Sequence, residues 1–450
     1  MDTSQIRMRA ERAGIAVRYL DTNERPYASS EQTVPLVFEA RGGSSMDALV
    51  AFLRLESDSI RATLDDHGAI LLRGFAIRSE VDFSRTISSI RGFHPMAGYF
   101  MAEPGRSLAA GHSNVFHTNT IFRTGGSFAK PGTGFHSENY YTADTPAFQS
   151  FWCKRRPSFG GETALVHMPR AYAELPASAR AKLEAAPVCT PTAWEISSVA
   201  QRYGLSHEVL EQYLSRQPGI RIESVSGHRF VVMDKPIVFQ HPRTGKRTFS
   251  ANISGEIPEL SRFMLGYLMP HYQSKAWALH RLVWKHARAQ RLAFTIHNTP
   301  RLLYYHPERI LRPSLLQALE RRKHRSGALP GEEARRSLLV GFASRLDLSE
   351  VQALATAMWK NCSVFSWQAG DALIWDNMQM LHTGMPGLGR RELRVMLCNP
   401  VVFKHPVGSE VASATVGNTM DSLHAQLEAA RNRTHLDSPI PGESQASSVS

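Results

Sequence analysis

Phe135-His136-Ser137-Glu138-Asn139-Tyr140-Tyr141 is the stretch on which the reading of this 450-residue chain turns. His136 and Glu138 are two residues apart, so on an extended strand their side chains leave the same face. Joined by a further imidazole, such a pair holds a metal from one side and leaves the opposite positions open. Two histidines and one carboxylate in that facial arrangement suit non-heme iron(II), whose open positions take a co-substrate and O2. The pair alone proves little. His306-Pro307-Glu308 and His435-Leu436-Asp437 share its spacing, and about two such matches are expected by chance. What surrounds His136 therefore decides.

Just upstream, residues 99–134 are rich in Gly, Ser, Thr and Asn. A loop of that length inside a compact domain is more often functional than not, so it is expected to form a lid or pocket wall. Downstream, residues 146–153 read as a strand, 158–161 as a turn, 162–166 as a second strand and 169–175 as a short helix. Further back, Leu49, Phe52, Leu53, Ile60 and Leu64 recur at helical spacing and predict one helix over 46–64. The apolar run between Gly68 and Gly74 reads as a buried strand. Residues 236–240 and 247–251 predict a hairpin around His241-Pro242-Arg243-Thr244-Gly245-Lys246. This is not a phosphate loop. No glycine stands five residues before Gly245, and Arg247 occupies the place of the Ser or Thr that would hold Mg2+. Residues 255–355 are helical in pattern, and 363–367, 371–375 and 392–397 complete the strands.

An open metal site needs its third ligand from a neighbouring strand, and His382 is the best candidate. It precedes the glycine-rich Gly384-Met385-Pro386-Gly387-Leu388-Gly389, beyond which lie Arg390, Arg391 and Arg394. Arg390 and Arg394 share a face of an extended segment, and guanidinium groups suit bidentate carboxylate capture. The alternative is two surface arginines on an edge strand.

Composition narrows the class. With 42% hydrophobic and 20% charged residues the chain has the makings of a packed core. Its four cysteines are scattered without a C-x-x-C pair, which excludes a disulfide scaffold and a zinc knuckle and points to a reducing, cytoplasmic setting. Neither a secretory leader nor a membrane span is visible. The formal charge of +12 gathers partly in Arg321-Arg322-Lys323-His324-Arg325. Without a nucleic-acid motif or interleaved aromatics it reads as a solvated helical face rather than a nucleic-acid surface. Docking of a carrier-protein-tethered substrate there is a further expectation.

Four stretches, taken in order, resemble the taurine dioxygenase (TauD/TfdA) family of Fe(II)- and 2-oxoglutarate-dependent oxygenases. They are His67 through Phe75; His136-Ser137-Glu138 through Pro146 to Gly160-Gly161-Glu162-Thr163; the His241–Lys246 turn; and Trp367-Gln368-Ala369-Gly370-Asp371 through Asp376-Asn377 and His382 to Arg394. The resemblance implies a mainly β protein with α insertions (α+β) on a double-stranded β-helix, or jelly-roll, core. One catalytic domain would span 1–405, with a helical insertion at 255–355 and a C-terminal extension at 406–450 that is disordered from about 433. It implies Fe(II) on His136, Glu138 and His382, with 2-oxoglutarate and O2 as co-substrates. Thr163 and Arg390, or alternatively Arg391, would bind the distal carboxylate of 2-oxoglutarate. Asn139 and Arg394 would meet substrate. Glu138 in place of the commoner Asp is similar to the clavaminate synthase-like branch, and a carboxylate there argues against the related halogenases. The expected reaction is hydroxylation of a small, carboxylate-bearing molecule such as an amino acid or a specialised-metabolite intermediate. Desaturation, cyclisation and epoxidation are open to the same site. A zinc hydrolase and a non-catalytic binding protein are the rival classes, and the substrate and oligomeric state are not readable.

Overall fold

In a computed structural model the described residues are 3–28, 34–42, 45–102, 107–117, 121–122, 134–185, 188–250, 258–271, 330–341, 345–385, 387–404 and 411–436, with isolated positions between 272 and 329. Most of the 255–355 insertion, its Arg321-Arg322-Lys323 patch, much of the expected lid and the tail beyond 436 lie outside them.

Elements are numbered along the chain. The large sheet runs β1 (Ile15–Arg18), β3 (Leu36–Ala40), β4 (Ala69–Arg73), β16 (Ala372–Asp376), β7 (Pro146–Arg155), β19 (Glu392–Lys404), β20 (Ala412–Val416), β13 (Val238–Gln240) and β14 (Arg247–Phe249). β5 (Phe116–His117) also pairs with β19. A second sheet runs β17 (Met380–Gly384), β9 (Thr163–His167), β15 (Cys362–Phe365) and β2 (Tyr27–Ala28). A third comprises β10 (Val188–Glu195), β12 (His228–Pro236) and β11 (Ile220–Val225). A small ribbon joins β6 (Ile121–Phe122), β18 (Gly387–Arg390) and β8 (Phe159–Gly160).

The first two sheets close on one another because their facing positions are apolar. Phe151, Leu373, Trp375, Val395 and Leu397 of the large sheet bury against Leu165, Phe365 and Met380 of the second. The outer face of the large sheet is equally apolar and takes α1 (Thr3–Arg12), α2 (Met46–Leu55), α3 (Ser57–His67) and α4 (Glu80–Ser88) through Ile6, Phe52, Leu64 and Phe83. The outer face of the second sheet takes α5 (Met168–Ala173), α6 (Ala177–Ala185), a helix α9 (Pro258–His271) and α11 (Leu348–Lys360). Leu260, Met264 and Leu268 fall four apart and form the buried stripe of α9. A third cluster packs α7 (Ile196–Tyr203), α8 (His207–Leu214) and α12 (Leu423–Leu436) against Val231 and Met233 of β12. α10 (Pro330–Ser337) adds Ala334 to the other side of β12. The result is a mixed α/β fold with two face-to-face sheets, each backed by helices.

One expectation is corrected. The helix over 46–64 is two helices, broken at Glu56, where Ser57 Oγ donates to the Leu53 and Arg54 carbonyls. Within the C-terminal extension β20 pairs with β19 and β13, and α12 ends at Leu436.

Candidate active site

His136 and Glu138 do not share a strand. His136 makes a single antiparallel bridge to His382: its N–H donates to the His382 carbonyl at 3.1 Å, and its carbonyl accepts the His382 N–H at 3.0 Å. The chain then turns, so Glu138 reaches the same point from a bend. The outcome matches the extended reading by a different route. Ligand atoms of His136, Glu138 and His382 all lie within 4.8 Å of one another. The imidazole centroids are 4.3 Å apart, and Glu138 Oε2 is 3.6 Å from His382 Nε2.

The surroundings fix these groups. His136 Nδ1 lies 3.0 Å from the Gly134 carbonyl, so it carries the proton and leaves Nε2 its lone pair. His382 stands on β17 against the rings of Phe151 and Trp375, at 5.6 and 5.0 Å. Gln149 on β7 donates Nε2–H to Glu138 Oε2 at 2.8 Å. Glu138 and His382 are only 3% and 4% exposed. A buried carboxylate between two imidazoles is costly unless a cation neutralises it, and this donor set fits iron(II).

Thr163 opens β9 opposite Gly384 of β17. Its Oγ1 accepts the Trp367 indole N–H at 2.9 Å, leaving the hydroxyl proton to donate to a carboxylate. Arg391 shares this corner. Its Nη1 donates to the Gly161 carbonyl at 2.8 Å. Its Nη2 lies so close to Gly384 that a Cβ there would approach to 3.1 Å. Burial pushes the Arg391 guanidinium down to about 10, a shift that a carboxylate beside it would reverse. The corner therefore fits one end of a dicarboxylate such as 2-oxoglutarate.

Arg390 and Arg394 are placed elsewhere. Arg390 turns outward, its side chain 65% exposed and paired with Glu392 at 2.7 Å. Arg394 pairs across β19 with Trp152, and Trp152 stacks on Phe83 behind the sheet. Its Nε donates to Glu80 of α4 at 2.8 Å, on the face opposite Gln149 and Phe151. Arg390 and Arg394 share a face, as their spacing predicts, but it is the outer one; Leu393, Val395 and Leu397 face the interior between the sheets. Alternation along β19 therefore turns Arg391, two positions before Leu393, inward. Arg391 had been the alternative.

Asn139 is buried at φ +53°, and its side-chain amide has no hydrogen-bond partner among the described residues. Gln149 and Asn377 had no role in the sequence reading. The signal for Gln149 was a polar side chain at an inward position of an apolar strand.

A second cluster, Asp65, His241 and Asp376, also has metal-ligand composition. Its atoms are already used. His241 Nδ1 accepts the Arg243 and Thr244 N–H groups, and Nε2–H donates to Asp376 at 2.9 Å. Arg243 bridges Asp65 and Asp376. It is a structural knot.

Comparison with known proteins agrees with this chemistry. The model of the taurine catabolism dioxygenase TauD, TfdA family matches residues 29–298, which include His136, Glu138 and Thr163 but stop short of His382. The chain belongs to that family. It is an oxygenase that depends on Fe(II), 2-oxoglutarate and O2. Among solved structures, a taurine dioxygenase from Burkholderia xenovorans is 14% identical, covering 93% of this chain and 99% of its own, with a TM-score of 0.41. PvcB from Pseudomonas aeruginosa is 15% identical over 86% of this chain and 91% of its own, with a TM-score of 0.42. No curated protein matches the chain in sequence. No helix among the described residues is long and apolar enough to cross a membrane.

Proposed function

We propose that the chain hydroxylates an unactivated C–H of a small molecule, with His136, Glu138 and His382 as iron ligands and Thr163 with Arg391 as the 2-oxoglutarate anchor. One observation carries this reading: three ligand atoms converge within 4.8 Å beside a buried threonine–arginine corner. Bound iron(II) supplies oxidative decarboxylation of 2-oxoglutarate coupled to C–H oxidation. The protein's residues do the rest. His136 and His382 offer lone pairs, Gln149 orients the Glu138 carboxylate, and Arg391 and Thr163 take the far carboxylate of the co-substrate. Phe151 and Trp375 help exclude water from the ligands. The facing sheets support the double-stranded β-helix reading of the core, and four buried cysteines without a disulfide among them accord with a cytoplasmic setting. A carboxylate on the substrate was expected from Arg394, which faces away, so the substrate class is kept to a small molecule such as an amino acid or specialised-metabolite intermediate. Asn139 is the proposed substrate contact.

The test is anaerobic titration of Fe(II) and 2-oxoglutarate, read by the weak visible charge-transfer band of the chelate. Wild type gives the band and His382→Ala does not. Arg391→Met requires at least about ten-fold more 2-oxoglutarate, the loss of one charge-assisted contact, whereas Arg390→Met stays within about two-fold. No band in wild type, or the reverse order of the arginine variants, would defeat the assignment.

A further inference from the structure

Glu138 sits where the chain has left its bridge to His382 and entered a turn, and among the described residues no strand pairs with it. A side chain takes that place. Asn377 Oδ1 accepts the Glu138 N–H at 2.8 Å, and Asn377 Nδ2 donates to the Glu138 carbonyl at 3.1 Å and to the Pro146 carbonyl at 2.9 Å. A primary amide presents a donor and an acceptor side by side, as a peptide does, so Asn377 stands in for a strand partner. It is 1% exposed, and its own N–H is held by the Ala147 carbonyl at 2.9 Å.

The clamp is itself anchored. Asp376, its neighbour, is wholly buried and receives His241 Nε2, Arg243 Nη2, Gln379 Nε2 and the Met378 N–H. Arg243 continues the chain of contacts to Asp65 at the end of α3. The knot that resembled a second metal site therefore has a purpose: it holds the 376–379 turn, and the turn holds residue 138.

We propose that Asn377 is the positioning residue for the metal-binding carboxylate, fixing Glu138 through its main chain before metal arrives. The proposal rests on Glu138 being a ligand. Without the amide, the peptide groups of residue 138 itself would have to be positioned by metal binding, and metal affinity would fall. Contacts of this outer kind are worth about 10–100-fold in metal affinity.

The experiment uses the full chain with Co(II) as probe, without 2-oxoglutarate, following the d–d absorption envelope and the dissociation constant. Variants are Asn377→Ala, His382→Ala and Thr248→Val. Thr248 Oγ1 holds the Met378 carbonyl of the same turn at 3.2 Å without touching residue 138, so it controls for general loosening. The expected result is at least ten-fold weaker Co(II) binding and an altered envelope for Asn377→Ala, with Thr248→Val like wild type at a comparable melting temperature. Should alanine not fold, the near-isosteric Asn377→Asp keeps the acceptor, removes both donations, and carries the same comparison. Wild-type affinity and envelope in a folded Asn377 variant would overturn the proposal alone. Equal loss in Thr248→Val would do the same by making the effect one of general stability. If His382→Ala binds Co(II) like wild type, the ligand assignment falls first and the clamp with it.

Discussion

At the scale of single residues, three arginines within five positions have three different environments. Arg390 is at the surface, Arg391 is buried toward the two-sheet interior, and Arg394 is buried behind the sheet. Composition and spacing show that cations cluster here and that Arg390 and Arg394 share a face, but β19 is apolar on both faces, so alternation alone does not say which of the two faces turns inward. The convergence of His136, Glu138 and His382 was legible from residue types and order, even though Glu138 arrives on a bend. Gln149 and Asn377 were not, because polar side chains that hold another residue by its backbone or its carboxylate obey no spacing rule. Arg394 illustrates the cost of misplacing a charge. Arg394→Met is expected to destabilise the fold by about 1–3 kcal/mol through loss of a charge-assisted bond to Glu80, while the 2-oxoglutarate requirement is unchanged. Urea unfolding and the chelate titration measure the two separately, and a raised requirement would return Arg394 to the site.

At the scale of elements, β4, β7, β9, β15, β16 and β19 of the two facing sheets were readable as apolar runs bounded by turn residues, while β1, β3, β17 and β20 were not read. The β10–β12–β11 sheet was not readable either. β11 is half-exposed along its length and mixes Arg221 and Glu223 with aliphatics, so it lacks a buried face to betray it. That sheet nevertheless reaches the ligand bend. Lys235 of β12 is 4% exposed and donates to Thr145 Oγ1 at 2.9 Å, and Thr145 in turn donates to the Asn139 carbonyl at 3.2 Å. Burial pushes the Lys235 ammonium down to about 8, against the opposing pull of Asp144. An unfolded lysine keeps its proton to about pH 10.4, so between these values the unfolded chain binds more protons than the folded one. Folding stability from this residue therefore rises with pH across that window, by about 3 kcal/mol in all. Lys235→Met should remove the rise. The difference in unfolding free energy between wild type and variant, measured at pH 7.5, 9 and 10.5, is the check, and a difference constant with pH would refute it.

At the scale of the whole molecule, segments from both ends of the chain are tied through one buried cation. Arg73 on β4 is 1% exposed. It bonds Asp371 through Nε at 3.1 Å and Nη2 at 2.6 Å, reaches the Ser366 carbonyl at 3.0 Å, and pairs with Glu24. Removing it leaves Asp371 as an uncompensated buried charge, so Arg73→Met is expected to cost about 3–5 kcal/mol in denaturant unfolding; a loss below about 1 kcal/mol would show the network to be dispensable. The pairing of His136 with His382 has a consequence in time. The two ligands are 246 positions apart (382 − 136), and ribosomes add about 5–20 residues per second. On the proposed assignment, His136 and Glu138 therefore wait roughly 12–50 s for the third ligand. A nascent chain or a truncated product ending before His382 would carry two of the proposed ligands and no facial triad, so iron loading would belong to a polypeptide grown past His382.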